Sequence, residues 1–491
     1  MSDAPPSAYK QENLVSSRLE DGALLLDPDF INAWGVAIRP AGLGGHWWVT
    51  NTDTSRVTLY VGDSPTVPFT QDGLSVLGVP GAPGEAVEIP VDPPIGDGAP
   101  LPPPTPTPAT LVPPSHPTGQ VFSGSDTDFI VGGTSLTGEA ITAPTRFITV
   151  SEDGTIAAWG ETGSAPARRM DSFVVAVDNS APDAGGIAAN YKGVALSGDF
   201  GSGLLLYAAN FSQNRIDVFD GAWQPVQNTG FVPQAPGGRD AADYAPFNVE
   251  RVSDPSRGQD VLIAAYAKVA NAAAGEEEAT DGFIVKYALD GTFLDASDAG
   301  GAFNAPWGIA VAPADFGSLG GDLLVGNFGD GRILSLHIAT LDFEGYLLDE
   351  AGAPVEIDGL WDLIVGNGAS LGAADRLYFA AGPENETQGL FGSLSFAGDA
   401  PRMPPGAGGG TGDVPAGAAV DGAGDHASMA GDGRGVPPFA QFARHLWDHR
   451  DAGDLPDVGF GGHSPWSGAH ATSAGTWTWT WAGTQSTAAI A

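Results

Sequence analysis

Cysteine is absent from this chain of 491 residues, which excludes disulfides, thiolate metal sites and a cysteine nucleophile together. Basic residues are scarce. Lys and Arg number 20 against 59 Asp and Glu, giving a formal net charge of -39, and lysine stands only at positions 10, 192, 268 and 286. A polyanion of this kind repels nucleic acid and anionic lipid, so neither is an expected partner. No run of about 18 or more apolar residues occurs, so no membrane span is expected. The first residues, MSDAPPSAYKQ, lack the basic and apolar regions of a signal peptide, which leaves a cytoplasmic location open. Helical periodicity is nearly missing as well.

What the chain does have is enough apolar material for a large core, 42% hydrophobic and 9% aromatic. It also has a repeat. NAWGVAIRP at 32–40 returns as NAPWGIAVAP at 304–313, and related stretches are PTGQVF, YKGVAL, FNVERV and LWDLIV. Aligned on Gly35, Gly119, Gly193, Asn248, Gly308 and Asp362, the six copies are separated by 84, 74, 55, 60 and 54 residues. Apart from FNVERV, each alternates small or apolar residues over four to six positions, the period of a strand. In three copies a second element follows, in which an apolar strand ends at Asn51, Asn210 or Asn327 and a polar turn leads to Arg56, Arg215 or Arg332 at the next strand. Asparagine tolerates left-handed geometry and bonds its neighbouring backbone, so turn chemistry accounts for these positions.

Strand, strand, turn and strand, six times over at a period near 55, is radial β repetition. The expected fold is all-β, a six-bladed β-propeller over residues 9–396. Its sixth blade lacks one strand before the sequence dissolves into Gly and Pro after Phe396, and ENLVSS at 12–17 would supply it, closing the ring with an N-terminal strand. Residues 80–117 are proline-dense and read as a polyproline II insertion between blades one and two. Residues 397–438 form a Gly/Ala-rich linker, and 439–491 a poorly patterned tail ending in TWTWTWAGTQSTAAIA, for which disorder is the expectation.

The ordered string NLVSS, DPDFINAWGVAI, EDGTIAAW, YKGVAL, YAANFSQNRIDVFD, YAPFNV, NAPWGIAVAP, GDLLVGNFGDGRI, IDGLWDLIVGNG and LYFAAGPENETQGLFGSL resembles an uncharacterised conserved family of bacterial, typically exported proteins related to NHL-repeat propellers. The resemblance implies the propeller fold and an extracellular or periplasmic location. It implies no established reaction.

In an antiparallel blade, the start of the first strand and the end of the second share one edge. Asn32, His116, Asn190, Asn304 and Asp358, just before five of the repeats, are therefore expected to ring the channel mouth, with Trp34, Lys192, Trp307 and Trp361 close by. Carboxamides, an imidazole and a carboxylate on one axis suit a hard cation or a sugar-like ligand. If a divalent cation such as calcium binds, Asn190, Asn304 and Asp358 are its candidate ligands. Glu152 and Asp153 read as hairpin caps and GEEEATD at 275–281 as a solvated loop. His445 and His449 have zinc-like i, i+4 spacing and DGAGDHASMAGDGRG has acidic spacing, but neither completes a metal motif.

Two function classes follow. One is an extracellular or envelope NHL-like propeller, monomeric, that binds a small molecule, polysaccharide or protein through the channel-mouth face. The alternative is a metal-dependent, lactonase-like hydrolase or lyase with one divalent cation over the axis.

Overall fold

The structure is a computed structural model that describes residues 7–82, 87–88, 95–96, 111–112, 114–162, 168–227 and 230–399, together with three strands near the C-terminus. The described residues between 7 and 399 form a six-bladed β-propeller. Its innermost strands are Ala33–Ala37, Pro117–Phe122, Tyr191–Leu196, Tyr244–Asp254, Pro306–Val311 and Leu360–Val365. Each packs beside the next and the last beside the first. Every blade is built on an antiparallel meander outward from its innermost strand, of three strands in blade three and four elsewhere, with an added hairpin strand, Ile130–Thr134, in blade two and the short strands Leu25–Leu26 and Leu348–Asp349 added in parallel to the outermost strand of blade six.

The expected closure is present. Ser7–Ser16 pairs antiparallel with Leu390–Asp399 and becomes the outer strand of blade six. Leu14 and Val15 are fully buried there, and the Tyr9 hydroxyl donates to the Phe316 carbonyl at 2.9 Å.

Both faces of a blade are covered by its neighbours, which is why whole strands such as Tyr191–Leu196 are buried at every position. The described core falls into six clusters between adjacent blades and a seventh on the axis. The repeated motif serves the axis. In all six innermost strands the pairing register slips at the motif, between Ala33 and Val36, Pro117 and Gln120, Tyr191 and Gly193, Pro246 and Asn248, Pro306 and Gly308, and Leu360 and Leu363. A bulge bends its strand, and here the bend brings neighbouring backbones together. A Cβ on Gly119 would stand 2.8 Å from the Gly193 Cα, and one on Gly308 would stand 2.5 Å from the Trp361 carbonyl oxygen. Asn248 and Asp362 replace glycine at this position and stitch blades instead. The Asn248 amide donates to the Trp307 carbonyl at 2.8 Å, and the Asp362 carboxylate accepts from the Val36 N–H at 2.7 Å.

The motif tryptophans close the channel. Trp34 and Trp361 stack at 3.5 Å between centroids, Phe328 stacks on Trp361 at 4.0 Å, and Trp307 meets both tryptophans edge-on. With Phe211 and Phe247 they form an apolar plug that separates two mouths.

Thr476–Trp481 pairs with His470–Thr472 and with Thr484–Ala489 in a separate three-stranded sheet, a unit of its own, where a lack of order was expected. Most of the proline-rich insertion lies outside the described residues, as do the acidic stretch at 421–435, His445 and His449.

Candidate functional site

The start of each innermost strand and the turn after each second strand meet on one face, and the centre of that face is built around Lys192. This lysine precedes the motif glycine of blade three, and its side chain is 4% exposed. Its ammonium lies 2.5 Å from Glu152 and 3.4 Å from Glu277. Beneath it are the rings of Trp34, Phe211 and Phe247, at 5.3, 5.8 and 5.9 Å from their centroids, a geometry in which the ring quadrupoles attract the cation. Burial disfavours the charge on Lys192, but the two glutamates outweigh it and raise its pKa, so the lysine stays protonated.

Glu386 completes the cluster from blade six. It follows Glu384 and Asn385 in a turn where all three non-glycine residues have positive φ, at 58, 55 and 67°. Left-handed backbone at such residues costs about 1–2 kcal/mol each, and strain of this kind collects where a side chain must be held in place. The Asn32 amide donates to Glu386 at 2.7 Å and its carbonyl accepts from the Trp361 indole at 2.9 Å, tying the acid to the plug. Burial, then repulsion from Glu277 and Glu152, pushes Glu386 up to about 7.

His116 stands beside the cluster with its Nδ1 3.0 Å from Asp153. Burial works against its charge, yet the bond and charge of Asp153 prevail and bring it to about 9.

The nine expected residues thus divide. Asn32, Trp34, Lys192 and Trp361 meet in one network, with Trp307 in the plug below and His116 at its edge. Asn190 packs on Gly275, at the tip of the blade-four hairpin, and Asn304 packs on Gly329 in blade five. Both bury a side-chain carbonyl oxygen that has no hydrogen-bond partner. Asp358 lies against the turn that carries Glu386. It accepts from the Glu384 N–H at 2.8 Å, because the left-handed turn presents that donor to it. Among the described residues no group of three or more His, Asp or Glu side chains is placed to hold a metal ion.

Three residues that do reach the centre were read otherwise. Glu152 is more than a hairpin cap, since it holds Lys192, and Asp153 holds His116. The GEEEATD stretch is not a solvated loop. It starts the strand Glu276–Tyr287, whose long hairpin with Gln259–Asn271 carries Glu277 over the mouth. Beside Asn304, a groove of about 480 Å³ runs between Arg239, Asp281, Asp330, Arg332 and Tyr346 on the blade four to five boundary.

The half-buried acids set a pH dependence. Glu386, at about 7, is joined on the opposite face by Glu250 at about 8 and Asp362 at about 7, both raised chiefly by burial. Each of these pKa values lies above its unfolded value, so stability is full below the unfolded pKa and is lost as pH rises through the folded one. His116 acts in the same direction. The protein is therefore expected to melt several degrees higher at about pH 5.5 than at about pH 8.5, as scanning calorimetry would read. A flat or reversed profile would contradict the burial of these carboxyls.

No family model matches the chain. Two uncharacterized proteins of Acanthamoeba polyphaga mimivirus are 27% identical to it. One matches over 393 residues, 79% of this chain and 80% of that protein. The other matches over 398 residues, 79% of this chain and 86% of that protein. Among solved structures, the GH93 α-L-arabinofuranosidase of Fusarium graminearum is 10% identical with a TM-score of 0.43, covering 79% of this chain and 97% of that one. The soluble aldose sugar dehydrogenase of Escherichia coli is 12% identical with a TM-score of 0.40, covering 79% and 99%. The relatives found are viral, whereas the motif string resembles a bacterial family. What the chain has in common with the solved structures is the β-propeller fold alone.

Proposed function

We propose that this protein is a non-catalytic binding module that receives a basic segment of a partner on the face built around Lys192. The observation that carries this reading is that the charged groups at the mouth are engaged with one another. Lys192 is held by Glu152 and Glu277, His116 by Asp153, Glu386 by Asn32 and Asp358 by the Glu384 backbone. Groups so committed make a preorganised charged surface. Asp53, Glu152, Asp153, Glu277 and Glu386 set against Lys192 and His116 leave the mouth acidic, and the overall charge of -39 steers basic partners towards it. Hydrogen exchange with a lysine-rich peptide tests the reading. Protection is expected in the turns at 51–54, 152–154, 271–277 and 382–388. Protection spread evenly over the blade rims, or equal protection by neutral dextran, would sink it.

A second reading, the metal-dependent hydrolase or lyase, draws support from one feature. The unpartnered carbonyl oxygens of Asn190 and Asn304 are hard acceptors of the type a calcium ion takes. A bound ion stabilises by mass action, about 2.7 kcal/mol at a hundredfold excess over its Kd. On the binding reading, thermal melts with chelator and with added calcium, magnesium or manganese should coincide. A clear upward shift with one ion would favour the metalloenzyme instead.

The NHL kinship and a location outside the cytoplasm belong to the same proposal. Their support is the motif string and the acidic composition. Fractionation of cells making the protein from its own full-length gene would test the location.

A further inference from the structure

The plug leaves a second mouth at the opposite end of the axis, and it is a different kind of site. A cavity of about 630 Å³ opens there, lined by the C-terminal halves of the innermost strands. Its walls include Val36, Val194, Ile309 and Leu363, and its polar groups include Gln120, Glu250, Trp307 and Asp362. Gln120 is 7% exposed, and neither its amide nitrogen nor its carbonyl oxygen has a hydrogen-bond partner. The indole N–H of Trp307, 2% exposed, is unpartnered as well. A buried amide or indole left unpaired is destabilising, so three orphaned polar atoms on one cavity are an unmet demand for two donors' acceptors and one acceptor's donor.

The charges make a second demand. Glu250 and Asp362 repel one another across this mouth. The cations that face them are already committed, Arg251 to Asp199 and Asp260 and Arg39 to Glu161. Burial raises both acids, and the charge of Asp362 raises Glu250 further, so their own surroundings leave these carboxylates undercompensated.

We propose that this cavity binds a small organic cation that also carries hydroxyl groups, of the amino-sugar or amino-alcohol class. The ammonium would satisfy Glu250 and Asp362, the hydroxyls would pair with the Gln120 amide and the Trp307 N–H, and the carbon skeleton would lie on the apolar wall. A bare divalent ion fits less well. Calcium takes six to eight oxygens, whereas each Asp362 oxygen already accepts a backbone N–H, from Val36 and from Leu363. A lone ion would also leave the apolar wall and both nitrogen donors uncovered. The site lies on the face opposite the proposed partner surface and stands or falls separately from it.

Calorimetric titration with glucosamine and with ethanolamine, set against glucose and calcium chloride, tests the inference. At least one amine is expected to bind at millimolar concentration or tighter, with glucose at least tenfold weaker than that amine, and the affinity for ethanolamine, which keeps its charge throughout, should fall from about pH 8.5 to about pH 5.5 as the acids take up protons. Gln120→Met and Glu250→Gln should each weaken amine binding about tenfold or more while leaving the melting temperature unchanged or raised, since each removes an unsatisfied polar or charged group. That combination separates a binding role from a structural one, for which the melting temperature would fall. Failure of both amines to bind, equal binding of glucose, displacement of the amine by calcium, or unaltered affinity in Gln120→Met would each overturn the proposal.

Discussion

Removal of residues 1–18 is expected to abolish the cooperative unfolding transition and drive the protein into aggregates, while removal of residues 400–491 leaves the transition in place. The strand Ser7–Ser16 pairs along its whole length with Leu390–Asp399, and without it blade six ends on a long, flat, unpaired edge, the template for association with other chains. The side chains lost include Tyr9, Leu14 and Val15, all 1% exposed or less. At about 1.5–3 kcal/mol for each fully buried side chain, their loss alone approaches the total stability of about 5–15 kcal/mol typical of a folded protein. The C-terminal removal takes no strand from the ring, since blade six is complete at Asp399. Circular dichroism melts and light scattering on both truncations would decide. A monomeric N-terminal truncation with a sharp melt would show that the ring does not depend on its closing strand.

The second large effect is expected at Lys192. Lys192→Met keeps the apolar stem over Trp34 but leaves Glu152, Glu277 and Glu386 without a cation, and breaking a buried pair by removing one partner costs about 3–5 kcal/mol. The sign of its pH dependence identifies the cause. Glu386 and Glu277 are already raised by burial, so acid protonates the orphaned carboxylates first, and the deficit measured by calorimetry should shrink from pH 8 towards pH 5. Adding Glu152→Gln and Glu277→Gln to the lysine variant should restore most of the lost stability, because neutral groups need no counter-ion. A deficit that is constant with pH and is not rescued would mean that Lys192 acts by packing alone.

How much of this was legible in the sequence depends on the scale at which each residue acts. Trp34, Trp307 and Trp361 announced themselves because the bulge they accompany recurs in every blade, and a recurring backbone need leaves a recurring pattern. Asn51, Asn210 and Asn327 were readable as turn residues for the same reason, and each does end its strand fully buried. Glu277 was not readable. Its place over the axis comes from a blade-four hairpin longer than the others, and the length of a hairpin is set by pairing between distant residues, not by local pattern. Glu386 depends on three consecutive left-handed residues with no glycine among them, against the propensity of each. Asp358 could be placed from the repeat, but the bond that one of its oxygens accepts from the Glu384 N–H could not, because it depends on the same left-handed turn. Asp362 served as a mere alignment point, although its carboxylate faces a cavity that the other end of the channel does not reveal.

The closing strand also has a consequence in time. Ser7–Ser16 leaves the ribosome well before its partner Leu390–Asp399, which follows some 380 residues later. At about 5–20 residues per second, that strand must wait roughly 20 to 80 seconds before it can pair. The blades in between can form in order, each against the one before, but blade one has no neighbour on its free side until the sixth arrives. The nascent protein is thus an open arc with two sticky ends through most of its synthesis, and the yield of folded protein should depend on chaperone supply and translation speed far more than the stability of the finished ring would suggest.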